Sequence, residues 1–295
     1  MRRVRLSENF RAVFYAPFYA TQALGHFAAE GVDVELVASP APAAATAGLA
    51  DGSLDVSWGG PMRVMKSRNE PGSLQLVAFC EVVRRDPFYL VARPGTETFE
   101  LGDLERLRFA SVSEVPTPWL CLQHDLREIG VDPAGLRRIG DRSMGDNLAA
   151  LAAGALDIAQ MFEPFAARAE REGIGRVVHA ASARGETSYT TFLATRDACA
   201  RHRDAFAAMT RAVSRTQAWL GSHGADELAR VVAPFYADVP AADLVAALRR
   251  YQRAELWARD TRVSPVGFER LGQSLRSGGF IAGIPAYEDC VLNFG

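Results

Sequence analysis

The sequence predicts an α/β fold of two similar lobes, each a mainly parallel sheet covered by helices. Three observations carry this reading. Helix and strand patterns alternate through the first ninety residues as β-α-β-α-β, an order that wraps a parallel sheet in helices. A second αβ set occupies about 100–190. One segment, L-A-x-G-x-L-D-[VI], occurs once in each set, as Leu49-Ala50-Asp51-Gly52-Ser53-Leu54-Asp55-Val56 and as Leu151-Ala152-Ala153-Gly154-Ala155-Leu156-Asp157-Ile158.

Val4 and Leu6 start the first strand. Phe14-Tyr15-Ala16-Pro17 leads into a helix beginning near Pro17, since the N–H that proline lacks has no partner in a first helical turn. Ala20, Leu24, Phe27 and Ala28 make one apolar helix face, and Gly31 is its stop. Val32, Val34 and Leu36 alternate with Asp33 and Glu35 as a half-buried strand. An alanine-rich helix ends near Asp51-Gly52, the short strand Leu54-Asp55-Val56 follows, and helix 61–69 leads to strand 74–80. In the second set, strands fall near 108–111, 136–139, 155–161 and 176–179, with helices near 117–129, 144–153 and 164–172. Beyond about 195 the pattern is helical, with Phe206, Met209, Val213 and Leu220 on one face of a long helix and further helices over about 225–278. In both copies of the repeated segment a helix ends, glycine takes a left-handed position, and a strand starts at once.

Composition excludes several function classes. The 295 residues are 48% hydrophobic and 23% charged, enough apolar material for two cores. A net charge of −2 gives no electrostatic reason to expect nucleic acid or an acidic membrane surface as partner. Lys66 is the single lysine among 33 basic residues, a bias read as genome composition rather than phosphate recognition. No apolar run approaches the ~20 residues that span a bilayer, so direct membrane insertion is not expected. Met1-Arg2-Arg3 is followed by no apolar stretch of a signal peptide. The expected location is therefore periplasmic if a leader has been removed, and cytoplasmic otherwise. Cys80, Cys121, Cys199 and Cys290 lack C-x-x-C spacing and read as buried small hydrophobes, with no metal site or disulfide framework.

Ligands of open parallel sheets bind outside the carboxyl ends of the strands, where helix N-termini present free N–H groups. Two such edges facing each other make a cleft. The candidates for its walls are the strand exits: Tyr15 and Pro17, Trp58-Gly59-Gly60-Pro61-Met62, Ser113 to Thr117, and Phe162-Glu163. Small-molecule pockets are mostly apolar and aromatic with a few placed polar groups, which these exits supply.

The same positions resemble the type II periplasmic binding proteins for nitrate, sulfonates and thiamine-pyrimidine precursors. The matching residues are Ala16-Pro17-Phe18-Tyr19, Gly25-His26-Phe27, Glu30-Gly31-Val32-Asp33-Val34-Glu35-Leu36, Gly52-x-Leu54-Asp55-Val56, Asp86-Pro87-Phe88-Tyr89-Leu90-Val91 and Glu163-Pro164-Phe165. The resemblance implies the two-lobed type II fold, each lobe a mixed, mainly parallel sheet flanked by helices. It further implies a discontinuous first lobe (1–88 plus 194–295), a second lobe (89–193) and a two-strand hinge about which the lobes close on ligand. The implied role is solute capture for an ABC importer, with a small, planar or heteroaromatic molecule as ligand, an ABC permease as partner and no cofactor. An enzyme branch of the same likeness, the yeast-type pyrimidine synthases, places lysine and then histidine after the Leu54-Asp55-Val56 strand and a cysteine cluster near the second hinge strand. This chain has Gly59 and Arg63 at the first place and Ser188-Tyr189-Thr190-Thr191-Phe192 at the second, so that chemistry is not implied here.

Each candidate has a functional and a plain reading. Trp58 with Gly59 and Gly60 can stack a planar ligand and admit close backbone approach, or be a core tryptophan before an ordinary turn. Ser113 and Thr117 stand where anion-binding relatives carry a cradle, but Pro116 and Pro118 remove donors, and Glu114 either repels an anion or points to solvent. Glu163 is a ligand contact or a charge favoured at a helix N-terminus. Arg84 is a clamp for a carboxylate or sulfonate, or a surface partner of Asp86. Cys121 is a nucleophile only if exposed, and a structural thiol if buried. The runner-up to solute capture is a cytoplasmic enzyme on the same scaffold, a decarboxylase or lyase of an aromatic or heterocyclic acid; a ligand-sensing domain of a regulator is weakened by the lack of a helix-turn-helix segment.

Overall fold

A computed structural model of the chain describes residues 2–8, 10–38, 42–96 and 98–294. The first half runs β1 (Arg2–Ser7), α1 (Ala16–Ala23), α2 (His26–Ala29), β2 (Val32–Val37), α3 (Pro42–Asp51), β3 (Val56–Gly59), α4 (Met62–Asn69) and β4 (Leu76–Val83). A second set follows: β5 (Tyr89–Ala92), β6 (Phe109–Ala110), α5 (Thr117–Glu128), β7 (Arg138–Ile139), α6 (Met144–Ala152), β8 (Ile158–Met161), α7 (Phe165–Arg171) and β9 (Arg176–Ala180). The chain returns through β10 (Thr190–Thr195) to α8 (Arg196–Arg201), α9 (Arg203–Leu220), α10 (Ala225–Val232), α11 (Ala241–Arg253), α12 (Pro265–Ser277) and α13 (Tyr287–Cys290).

Two five-stranded sheets result, with strand orders β2-β1-β3-β10-β4 and β7-β6-β8-β5-β9. Their wiring is the same. Three strands pair in parallel (β1 with β2 and β3; β6 with β7 and β8), and the fourth position holds a strand antiparallel to both neighbours. That fourth strand is β10 in one sheet and β5 in the other, each the strand delivered by a crossing between sheets. The crossings are residues 84–88 and 181–189. The whole of β10 lies in the first sheet. The fold is thus the mixed, two-sheet α/β arrangement that the sequence predicts.

The repeated segment has a structural job. Gly52 and Gly154 both carry a left-handed backbone, φ +76° and +72°. The aspartate three residues on reaches the neighbouring parallel strand in each sheet. Asp55 accepts from the backbone N–H of Arg5 at 2.8 Å and from its guanidinium at 3.0–3.2 Å. Asp157 accepts from the backbone N–H of Arg108 at 2.9 Å and from its guanidinium at 2.7–3.0 Å. The backbones answer in the same way, Asp55 N–H to Arg5 and Asp157 N–H to Arg108. Arg108 holds the Asp157 carboxyl down at about 2. Because both aspartates are committed to these staples, both strands start after them. The strand expected at 54–56 is therefore found at Val56–Gly59, and the one expected from 155 starts at Ile158. Trp58 lies inside its strand, not beyond it. By the repeat its counterpart is Gln160, so Trp58 and Phe162 are not equivalent positions.

The first predicted helix is interrupted. Gly25 takes φ +70°, ending α1 and letting α2 turn toward β2. The long helix is α9, burying Phe206, Met209 and Val213 as expected. One apolar core runs continuously from the first sheet to the second through Phe14, Trp58, Phe88, Tyr89 and Phe162.

Candidate functional site

The crossings and strand exits bring a continuous aromatic path together between the sheets. Tyr15, at the start of α1, lies 4.3 Å from Phe14 and 5.7 Å from Trp58, ring to ring. Phe14 meets Phe162 edge-on at 5.3 Å, and Phe162 meets Phe88 edge-on at the same distance. Phe88, on the first crossing, lies 6.2 Å from Tyr189 on the second. Phe10 stacks on Phe162 at 6.0 Å. Edge-on and offset contacts are the favoured geometries of such pairs. The path joins elements of both sheets, and all of these rings but Phe10 are buried.

Of the sequence-predicted residues, Tyr15, Trp58 and Phe162 are on this path, and Pro17 is buried in the first turn of α1 behind it. Trp58 is fully buried, stacked on Phe18 at 4.6 Å and met edge-on by Tyr19, so its ring is a core side chain in this conformation. Its Nε1–H has no partner. Gly59 and Gly60 are closely approached by their neighbours. A Cβ at Gly59 would lie 3.2 Å from Leu193 and 3.6 Å from the Arg63 guanidinium, and one at Gly60 would lie 3.3 Å from the Tyr189 carbonyl. Met62 and Thr117 meet across the gap between the sets, Thr117 Oγ1 donating to Met62 Sδ at 3.2 Å.

The remaining candidates are placed elsewhere. Arg84 pairs with Glu81 at 2.6 Å and Asp260 at 3.0 Å; Asp86, its expected surface partner, is buried and accepts from the Phe88 N–H instead. Ser113 is exposed. Glu114 is exposed and accepts from the Met144 N–H at 2.8 Å, at the start of α6. Glu163 is fully buried, accepts from the Ala167 N–H at 2.8 Å at the start of α7, and pairs with Arg250 at 3.0 Å. Both acids therefore serve helix N-termini, where the backbone dipole favours them. Cys121 is buried, and burial pushes its thiol up to about 12, away from nucleophilic use.

Burial lifts the Glu163 carboxyl to about 7, against the opposing pull of Arg250. The folded state then holds a proton that the unfolded chain releases near 4.5, so stability falls as pH rises from about 4.5 to 7 and levels off above. Asp86, likewise lifted to about 7 by burial, adds to the same slope. Glu163→Gln is expected to remove its share, up to ~1.4 kcal/mol per pH unit, in urea unfolding followed from pH 4.5 to 8. An unchanged slope would show that the carboxyl is ionised throughout.

Sequence reasoning did not single out Phe10, Phe14, Phe88 and Tyr189, which the structure places on this path, or Arg63, which lies beside Gly59. Phe14 and Phe88 sat in quoted motifs without a role, and Tyr189 and Arg63 were noted only where the chain departs from the pyrimidine synthases. Tyr189 Oη, Thr190 Oγ1, Thr191 Oγ1 and Ser57 Oγ are buried here without hydrogen-bond partners. Among the described residues no group of three or more His, Cys, Asp or Glu is placed to hold a metal ion, and no helix is long and apolar enough to cross a membrane.

Comparison with known proteins adds three findings. The family model described as NMT1/THI5 like matches residues 13–225. A Bacillus subtilis (strain 168) chain, YtlA, described as a binding protein, is 23% identical over 273 residues, covering 92% of this chain and 82% of that one. Among solved structures, the aliphatic sulphonate binding protein SsuA of Escherichia coli superposes with a TM-score of 0.78 at 15% identity, over 98% of this chain and 96% of that one. The alkanesulfonate-binding SsuA of Xanthomonas axonopodis pv. citri, solved with MOPS bound, gives a TM-score of 0.75 at 14% identity over 99% of each chain.

Proposed function

The chain belongs to the NMT1/THI5-like family, and from that premise we propose that it captures a small molecule between its two sheets as the solute-binding component of an ABC importer, passing it to a permease. The observation that carries this reading is the aromatic path that draws Phe14 and Tyr15 before α1, Trp58 of β3, Phe162 after β8, and Phe88 and Tyr189 of the two crossings to one place between the sheets. The sulfonate-binding roles of the two SsuA proteins support it, as does the description of YtlA. Export to the periplasm is the location that fits the role.

In this reading the lobes are 1–88 with 190–295 and 89–189; the second boundary, expected at 193/194, falls ahead of Thr190 because β10 pairs within the first sheet. The crossings 84–88 and 181–189 serve as the hinge, and opening separates Phe14 from Phe162. A thermal-shift screen of small acids and heterocycles should yield a ligand that raises the melting temperature, is recovered unaltered after long incubation, and binds more weakly to Phe162→Ala. Chemical turnover by the pure protein would reject a purely binding role.

A further inference from the structure

We propose that the two lobes part on one side only. The contact between α7 and α11, held by Arg250 and Arg171, is a latch that lets go when Phe162 leaves Phe14, and the contact between α5 and α12 stays joined as the pivot. This rests on the reading of the cleft as opening between the lobes and adds which contacts that motion breaks.

The two interlobe contacts differ in chemistry. On one side α5 of the second lobe packs on α12 of the first. Its Leu120 and Cys121 lie in one core with Val263, Phe268, Leu271 and Leu275 of the first lobe. Arg184 ties Asp125 of α5, at 3.0–3.1 Å, to Ser274 of α12, at 2.7 Å. Separating these helices would expose the apolar side chains and strip a buried guanidinium of its partners, so they resist it.

On the other side α7 of the second lobe meets α11 of the first through charged and polar groups. Arg171 donates to Asp243 at 2.6 and 2.9 Å, and Arg250 lies 3.0 Å from Glu163 and also pairs with Glu170. The Tyr251 hydroxyl accepts from the Glu163 N–H at 3.0 Å and donates to the Pro87 carbonyl. The Arg171 and Arg250 side chains are 45% and 23% exposed, so water can take over as the helices part. For an ion pair the attraction gained in the contact is largely offset by the hydration lost. Such a contact fixes geometry without opposing opening strongly, and polar interdomain contacts of this kind are the ones that move.

The latch is also fastened to the aromatic path. Glu163 directly follows Phe162, so a displacement of Phe162 from Phe14 carries Glu163 with it. Across the gap, α11 packs on residues 13–15, and Trp257, just beyond α11, donates its indole N–H to the Phe14 carbonyl at 2.9 Å. The first lobe thus holds Phe14 and Arg250 together, and the second holds Phe162 and Glu163 together. One motion parts both pairs. The Tyr251 hydroxyl then keeps Pro87, in its own lobe, and gives up the Glu163 N–H.

The test is hydroxyl-radical footprinting of the full chain, read by mass spectrometry, which reports the solvent exposure of individual side chains and needs no ligand. Phe162 and Tyr251 report the latch, and Cys121 and Phe268 the pivot; all four are buried. Arg250→Glu sets a like charge against Glu163 and Glu170. It should raise labelling of Phe162 and Tyr251 about threefold or more and leave Cys121 and Phe268 as in the wild type. Adding Glu170→Arg should return the labelling towards wild type. Arg171→Glu, opposite Asp243, should give the same pattern and serves if the first variant does not fold. A rise on both sides would mean that the molecule loosens as a whole, and a rise at the pivot alone that it opens the other way. Either result overturns the proposal, as does unchanged labelling in both variants. Because no ligand is used, failure of the latch and failure of solute capture are read from different experiments.

Discussion

Arg184→Ala is expected to cost about 3–5 kcal/mol of stability at neutral pH, the scale on which breaking one side of a buried ion pair is felt. Arg184 is on the second crossing, and its side chain is 5% exposed. It holds Asp125 of α5 through contacts of 3.0–3.1 Å and reaches Ser274 of α12 at 2.7 Å. Its charge also stabilises the ionised form of Asp86 on the first crossing. One guanidinium thus ties both crossings to helices of both halves. Removing it strips Asp125 of its ion-pair partner and the buried Asp86 carboxyl of a stabilising cation, so Asp86 takes up a proton more readily. The deficit should therefore be smaller at pH 5 than at pH 7.5, which urea unfolding at the two values would measure. A loss below ~1 kcal/mol at pH 7.5 would mean that the crossing is held by backbone contacts alone.

Trp58→Ala should be comparably costly, about 3–5 kcal/mol, because a fully buried indole is lost together with its packing on Phe18 and Tyr19. The indole N–H has no partner to lose, so Trp58→Phe should recover much of the difference. If the phenylalanine variant is as unstable as the alanine one, the N–H is bonded in solution, to water or ligand, and added ligand should then fail to stabilise either variant. Equilibrium unfolding of the three proteins decides between the cases.

Much of this fold was legible because local chemistry announces it. Pro17 opens α1, Gly31 precedes β2, and the repeated glycine-aspartate turn appears in both sheets with the same geometry. The strand after each turn was placed too early because Asp55 and Asp157 look like strand residues in an alternating pattern. Their bonds to Arg5 and Arg108, about fifty positions away, have no local signal. The same holds for Glu114, whose partner is the N–H of Met144, and for Arg84, whose second partner is Asp260. The antiparallel strands β5 and β10 came into view only through family likeness, since a short buried strand carries no mark of its direction. Between the sheets, the strand exits pointed to Tyr15, Trp58 and Phe162 but could not show which aromatic rings meet. Phe10, Phe14 and Phe88 are brought together around Phe162 from positions far apart in the chain.

The position of β10 between β3 and β4 also dictates an order of assembly. All the strands of the second sheet lie in one continuous stretch, 89–180, so that sheet can close as soon as its residues exist. The first sheet cannot, because β3 and β4 remain unjoined until the chain has passed through the whole second sheet and come back. Contacts of such long sequence separation form slowly, since the loop between them must first be ordered. During synthesis, then, the inner half is poised to fold while the outer half waits with β4 exposing an unpaired edge, the interval in which a chaperone or a stray strand would find it.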